Sequence, residues 1–335
     1  MNAPNMNTLK IGILSFAHMH ADSYAAALTA HPGVDFVGVS DADAERGRQK
    51  AAAFGTQFFS SESALLDQKL DGVIVTSENV HHRRLVEQAA RGGVKAILCE
   101  KPLATTLEDA EAMIDVCRAA GAKLATAFPC RYSPAYQRLH AQVSAGAIGD
   151  VLAIRSTNHG KMPGGWFIDA ALSGGGAVID HTVHAADLNR HLLGRDAVDV
   201  YAEIGHGFYH QPWEDTGFLT IRYGGGVFAT LDTSWSRPDA YPTWGDITLQ
   251  VVGTLGVLEL DMFGQNLSRY GSVGQGIAWV NWGSDTDFGL ISDFLTLAAG
   301  QPAPLLATGE DGLAALAVAL AAYRSAAAGA PAPVN

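Results

Sequence analysis

Between residues 9 and 128, short apolar runs alternate with segments of helical period, and this rhythm constrains the fold more than any other feature. The runs are Lys10–Leu14, Val34–Val39, Gly72–Thr76, Val94–Cys99 and Lys123–Ala127, and helix-patterned segments lie between them near 21–30, 42–53, 79–91 and 106–120. Strands separated by helices pair in parallel, because parallel neighbours need a long crossover. This half therefore reads as α/β. The last helix opens with Thr105-Thr106-Leu107-Glu108, a capping-box spacing that lets Glu108 reach back to the cap amide, and it stops at Gly121.

The rhythm changes at Phe128-Pro129-Cys130-Arg131-Tyr132-Ser133-Pro134, which marks a domain junction. A helix is expected near 134–145. Strands follow over 151–157, 197–205, 216–223, 226–235, 246–252 and 256–261, interrupted by one helix over 177–193. Tyr223-Gly224-Gly225-Gly226-Val227 has the composition of a hairpin turn, where glycine tolerates positive φ. The second half is α+β with a mostly antiparallel, open sheet. The expected domains are 1–129, the parallel α/β unit; 130–300, the α+β unit; and 301–335, an Ala/Leu-rich helix over 309–328 with a Pro/Ala tail whose packing is left open.

Composition narrows the partners. A chain of 335 residues is long enough for two cores at roughly 150 residues per domain. Its 48% hydrophobic and 17% charged content excludes a disordered chain. No apolar run approaches the ~20 residues that span a bilayer, and the opening MNAPNMNTLKIGIL does not read as a signal peptide. Three cysteines (Cys99, Cys117, Cys130) make no disulfide framework, so buried thiols in a cytoplasmic protein are expected. From Tyr201 onward, four Arg face thirteen Asp or Glu, which holds nine of the twelve excess negative charges. Such a surface repels nucleic acid, and five of the six Trp in the same stretch suit a small, neutral, polyhydroxylated ligand.

Four places carry candidate chemistry. In the turn after the first strand, the positions of a G-x-G-x-x-G phosphate loop fall on Ser15, Ala17 and His20, and none is glycine. Ser15 and Ala17 are small enough for a pyrophosphate to approach the N–H groups of Phe16, Ala17, His18 and Met19 at the helix N-terminus, and His18 and His20 can donate to a phosphate. The alternative is an ordinary βα turn. Asp41 closes the second strand, where a carboxylate accepts the ribose hydroxyls of NAD and repels the 2′-phosphate of NADP; it could equally be a helix cap. Glu100-Lys101-Pro102 follows a strand's carboxyl end, where open parallel sheets bind ligands, and Lys101 can stabilise a developing oxyanion. Gly174-Gly175-Gly176 precedes Asp180, His181 and His184; Asp180 and His184 share a helix face at i, i+4, and His184 is a natural proton acceptor near neutral pH. A rival reading gathers Asp180, His181, His184, His159, His206 or His210 around a metal, but no tight motif such as HExxH supports it, so no metal is expected.

With these residues in place the chain resembles the glucose-fructose oxidoreductase / inositol dehydrogenase (Gfo/Idh/MocA) family along nearly its whole length. The specific matches are Leu98-Cys99-Glu100-Lys101-Pro102-Leu103-Ala104 and the triple glycine with Asp180 and His184. Lesser ones are Asn79-Val80-His81-His82 and Arg131-Tyr132-Ser133-Pro134. The resemblance implies a Rossmann domain, an α+β domain and NAD(P)-dependent redox chemistry on sugars, cyclitols or related polyols. It implies catalytic roles for Lys101, His184 and Asp180, cofactor contacts from Ser77, Asn79, His82 and Glu100, and substrate contacts from Arg131 and His181. Asn158, His159, Lys161 and Trp166, on a Gly/Pro-interrupted segment before the triple glycine, look like a substrate loop in which Trp166 offers an aromatic face to a sugar ring; the alternative is an ordinary surface loop with one buried Trp. The glycine-poor loop at 15–20 departs from the family pattern. NAD is the expected cofactor, with NADP less favoured. A homodimer or homotetramer is expected through the uncovered face of the second sheet. The other functions left open are a non-catalytic NAD/sugar sensor and a redox-neutral, NAD-dependent glycoside-cleaving enzyme.

Overall fold

The computed structural model describes residues 8–264, 266–270, 277–281 and 285–334. Residues 1–7, half of the segment read against a signal peptide, and the tail residue Asn335 lie outside the described residues. The chain forms two units, residues 1–129 with 286–313, and 130–285 with 314–335.

In the first unit six strands form one parallel sheet: β1 (Leu9–Leu14), β2 (Val34–Ser40), β3 (Gln57–Phe59), β4 (Gly72–Val75), β5 (Ala96–Cys99) and β6 (Lys123–Thr126), in the order β3-β2-β1-β4-β5-β6. β4 and β5 are buried at every position, which is why their sequences are continuous apolar runs rather than alternating ones. Helices α1 (Ala21–Ala30), α2 (Ala44–Ala53), α3 (Glu62–Leu66), α4 (His82–Arg91) and α5 (Leu107–Ala120) make the crossovers. The chain leaves β1 toward β3 and returns to β4 on β1's other side, so the order reverses there, and the crevice outside those strand ends is the ligand position of such sheets. α5 is capped one residue later than the sequence suggested. Thr106 Oγ1 accepts from the Asp109 amide at 3.1 Å, and Gly121 ends the helix at φ +64°. β3 and α3 were not anticipated.

In the second unit α6 (Pro134–Ser144) leads into β7 (Val151–Gly160), longer than the expected 151–157. α7 (Ala170–Ser173) and α8 (Ala177–Leu193) precede β8 (Ala197–Gly205), β9 (Thr216–Tyr223), β10 (Phe228–Ser234), β11 (Gly245–Gly253) and β12 (Val257–Asp261). With β15 (Ala332–Pro333) these make a seven-stranded sheet ordered β12-β11-β7-β10-β9-β8-β15, antiparallel except where β10 meets β7. β13 (Asn266–Tyr270) and β14 (Ile277–Asn281) pair separately. The Gly225 and Gly226 φ angles of +80° and +83° explain the glycines of the β9–β10 turn. α8 is buried over most of its length against one sheet face.

Helix α9 (Thr286–Ala298) belongs to the first unit, not to the second as the expected boundary at 300 had it. Its apolar face, Leu290, Ile291, Phe294 and Leu295, is buried, and the Phe294 ring lies so close over Gly72 of β4 that a side chain there would collide with it. α10 (Gly309–Ala328) counts with the first unit through Leu313 and with the second from Ala314.

Candidate active site

The loop after β1 does with a serine what the family pattern does with glycine. Ser15 takes φ +75° with its amide on Ser40 O at 2.7 Å and its carbonyl on Thr76 Oγ1 at 2.6 Å. The expected cradle of open amides is not what the loop presents. The Phe16 amide donates to Asp41 Oδ2 at 2.6 Å, that of Ala17 to Ser15 Oγ at 3.1 Å and that of His18 to Thr76 O at 2.9 Å. Without glycines the loop is fixed by its own amides, so its readiness for an anion has to come from the start of α1 and from side chains.

His18 and His20 are those side chains, and they converge on Glu100, just past β5. Glu100 Oε1 lies 3.2 Å from His20 Nδ1 and 3.8 Å from His18 Nδ1, and Oε2 accepts the Lys101 amide at 3.0 Å. Burial alone would raise the Glu100 pKa, but the two imidazoles and Lys101 outweigh it and hold the carboxylate far below its usual range. Burial would likewise lower the His20 pKa, yet Glu100 and then Asp287 raise it, against Lys101. Lys101 is buried beside this cluster. Among the described residues these three donors, His18, His20 and Glu100, are the grouping with metal-ligand spacing, their atoms within 4.8 Å of one another. The histidines singled out from sequence form no such group.

Asp41 sits at the end of β2 as the sequence implied, but it does not stand alone. Its Oδ1 accepts from the Asp43 amide at 2.8 Å and Arg46 Nη2 at 2.6 Å, while Oδ2 accepts from Phe16 and from Arg46 Nε at 2.9 Å. Arg46, in the first turn of α2, folds back onto the carboxylate. Ser77 and Asn79 are buried directly after β4. His82 turns out to be a clamp rather than a cofactor contact. Its two ring nitrogens face the Ser77 carbonyl at 3.2 Å and those of Pro102 and Leu103 at 3.1 and 3.2 Å, so it ties the β4 loop to the turn bearing Lys101. Burial lowers its pKa. The reversal of strand order, the small Ser15 and Ala17 and the acid ending β2 fit a dinucleotide.

In the second unit α8 carries Asp180 and His184 on one face. His184 is buried with Nδ1 3.8 Å from Cys130 Sγ, and Asp180 Oδ2 accepts from Trp235 Nε1 at 3.1 Å. The start of α8 is completed by distant residues. The Gly176 and Val178 amides donate to Glu214 Oε1 at 2.6 and 3.2 Å, the Ala177 amide to Glu214 O at 3.0 Å, and the Ile179 amide to Tyr323 Oη at 3.2 Å. A Cβ at Gly175 would run into Tyr323 Oη, and one at Gly176 into Glu214 O. Gly175 and Gly176 are therefore explained by this close approach, and Gly174 by its φ of +84°.

Several expected substrate contacts have other tasks. Arg131 forms a buried two-pronged pair with Asp187, at 2.9 and 2.5 Å, so its charge is matched inside the unit. His181 is buried with Nδ1 on Asn158 O at 3.0 Å and Nε2 3.3 Å from Asp180 Oδ2, which makes it a strut between β7 and α8. Asn158 is fully buried, its Nδ2 donating to His181 O at 3.0 Å. His159 follows it on a strand and so points to the opposite sheet face. There it lies 3.0 Å from Asp232 and 2.7 Å from Asp246, with Arg237 on Asp246 as well. Burial alone would lower its pKa, but the two carboxylates push it up to about 9. Trp166 is half-buried and stacked on Phe167 at 3.9 Å. Glu214, Tyr323 and Trp235 had no signal in the sequence, since each acts on α8 from 34 or more positions away.

Comparison with known proteins agrees with both halves. Residues 9–128 match the model of an oxidoreductase family with an NAD-binding Rossmann fold, and residues 136–259 match the GFO/IDH/MocA C-terminal domain. The chain is 33% identical over 322 residues to a 1,5-anhydro-D-fructose reductase of Ensifer adhaerens, covering 90% of this chain and 92% of that one. It is 30% identical to inositol 2-dehydrogenase 2 of Saccharopolyspora erythraea over 98% and 96% of the two chains. The crystal structure of GenD2 from gentamicin A biosynthesis, in complex with NAD, superposes with a TM-score of 0.89 at 25% identity, covering 100% of this chain and 99% of that one.

Proposed function

The chain belongs to the Gfo/Idh/MocA family of NAD-binding oxidoreductases, and on that premise we propose that it transfers a hydride between a hydroxyl-bearing carbon of a sugar, cyclitol or related polyol and NAD. When bound, NAD supplies the hydride acceptor, and the residues that would hold it are Ser15–Met19, Asp41, Ser77, Asn79, Glu100 and Lys101. The chain's own residues handle the proton and the charge. His184 takes the hydroxyl proton, Lys101 stabilises the negative charge that develops on oxygen, and Asp180 orients the hydroxyl. Trp166 offers a half-open aromatic face to the ring. Most weight rests on α8, which presents Asp180 and His184 on one face and whose start is held by Glu214 and Tyr323.

The protein is further read as a cytoplasmic homodimer or homotetramer. No helix among the described residues is long and apolar enough to cross a membrane, and the three cysteines are buried and unpaired with one another. The sheet face away from α8 exposes Phe218 (61%) and Phe228 (48%) beside its charged residues, which supports a partner copy there. The decisive experiment follows NADH fluorescence with a panel of sugars and cyclitols, wild type against Lys101→Met. Growth of NADH with one of them, lost in the variant while NADH binding persists, is the expected outcome. Turnover at the wild-type rate without Lys101 would remove it from the chemistry.

A further inference from the structure

The loop joining β8 to β9 has no part in the proton and hydride chemistry, yet it is built with care around aromatic rings. Asp215 is fully buried, and its Oδ2 accepts from the amides of Phe208 and Tyr209 at 2.9 and 2.8 Å. Its own amide donates to Gly205 O at 3.0 Å, and its carbonyl accepts from the Trp235 amide at 2.9 Å. His206 Nδ1 meets Trp213 O at 2.8 Å. A buried carboxylate with these bonds fixes the loop's path, so the rings it carries are held before any ligand arrives.

Two of those rings stand in a row that begins at Asp180. Trp235, fully buried, gives its indole N–H to Asp180 and meets Trp213 edge-on, with ring centroids 5.4 Å apart at 64°. Tyr209 lies against Trp213 at 5.5 Å. Unlike Trp235, Trp213 and Tyr209 are only half-buried, so each keeps part of its ring open to solvent. Rigid, half-open aromatic rings suit the C–H face of a pyranose, because little side-chain freedom is lost on stacking. Trp213 is linked to Asp180 through the Trp235 indole, by a 3.1 Å hydrogen bond and a 5.4 Å ring contact, which puts a ring stacked on Trp213 next to one held at Asp180.

We infer that Tyr209 and Trp213 form a second carbohydrate subsite, which stacks on the ring next to the one that reacts, so that the protein prefers glycosides to free monosaccharides. The inference rests on the reading of Asp180 as the residue that orients the reacting hydroxyl.

The test compares kcat/KM for a monosaccharide with that for its disaccharide glycosides, in wild type and in Trp213→Ala and Trp213→Phe. The glycoside-to-monosaccharide ratio should fall by about fivefold in Trp213→Ala, through KM, and recover in Trp213→Phe, since one lost stacking contact is of the order of 1 kcal/mol. Tyr209→Leu should lower the ratio in the same direction and stands in if Trp213→Ala does not fold. An unchanged ratio, or equal loss on both substrates, overturns the subsite. Should wild type oxidise none of these sugars, calorimetry with the same disaccharides reads the subsite directly. Trp213-dependent binding then supports it while the oxidoreductase reading of Lys101 and His184 fails, and absence of binding overturns it.

Discussion

Removing the Glu214 carboxylate should unseat helix α8 without touching the first unit. A helix start leaves four N–H groups without intrahelical partners, and here the side chains of Glu214 and Tyr323 and one carbonyl take all of them. Tyr323 also donates its hydroxyl proton to Glu214 Oε1 at 2.5 Å, so one carboxylate oxygen accepts three bonds. Glu214→Ala orphans two buried amides and that hydroxyl, each costing about 1–3 kcal/mol, and partial relaxation brings the sum to roughly 3–5 kcal/mol. Glu214→Gln keeps an acceptor oxygen but loses the charge at the positive end of the helix, for about 1–2 kcal/mol. At about 2–4 °C per kcal/mol for a domain of this size, melting should drop by roughly 10 °C in the alanine variant and roughly 3–6 °C in the glutamine variant. The assay is thermal unfolding by circular dichroism, with NADH titration as the control, because the proposed cofactor residues lie in the other unit. The glutamine variant should also lose kcat, since Asp180 sits in the first turns of the same helix. An alanine variant that melts within about 1 °C of wild type would show that these donors find other partners, and the reasoning would fail.

His184→Asn should keep NADH affinity and lose kcat by a factor on the order of 10² or more; steady-state kinetics and NADH titration of both proteins check this. NADH should bind more tightly than NADPH, and Asp41→Ser should narrow the gap by about tenfold as it frees Arg46 to meet a 2′-phosphate; a fluorescence titration that leaves the NADH/NADPH ratio unchanged would place the ribose elsewhere. His159, raised from 6.5 to about 9, contributes stability that is complete below pH 6.5 and is lost as pH rises toward 9. His159→Gln should therefore flatten that part of the melting-temperature profile, and an identical profile would refute the pairing with Asp232 and Asp246.

The fold was legible wherever periodicity carried it. Buried parallel strands must be apolar throughout, and helices must keep a stripe, so β1, β2, β4, β5 and β6 and their crossovers stand out. β3 has three residues, too few for any period to show. α9 displays its apolar face plainly, but an apolar face does not say which unit it covers; that depended on Gly72 making room for Phe294. In the site, residues whose roles follow from spacing along one element, Asp180 and His184, could be paired from sequence. Residues whose roles depend on a partner far along the chain could not. Arg131 reads as a substrate cation until Asp187 is beside it, 56 positions on. Asn158 and His159 face opposite ways because β7 runs on to Gly160, past the end at 157 that the sequence pattern suggested.

The glycine-poor loop shows how far a motif may drift while its physics holds. Glycine serves such loops through positive φ, absence of a side chain, and close helix–strand packing. Ser15 adopts the positive φ, and its hydroxyl accepts the Ala17 amide two residues on. Ala17 is nearly as small as glycine. The third position is His20, which stands at the N-cap of α1. His20 is anchored to Glu100 with its Nδ1 also 3.5 Å from Tyr24 Oη, and the buried Glu100 carboxylate raises the pKa of this imidazole against the effect of burial. The amides of Phe16, Ala17 and His18, which a glycine-rich turn would turn outward, are bonded inward here, and the His18 and His20 imidazoles gather on Glu100 beside them. A sequence search for glycines sees a lost motif. The contacts around Glu100 show what stands at this end of the sheet instead, two imidazoles and Lys101 gathered on one buried carboxylate.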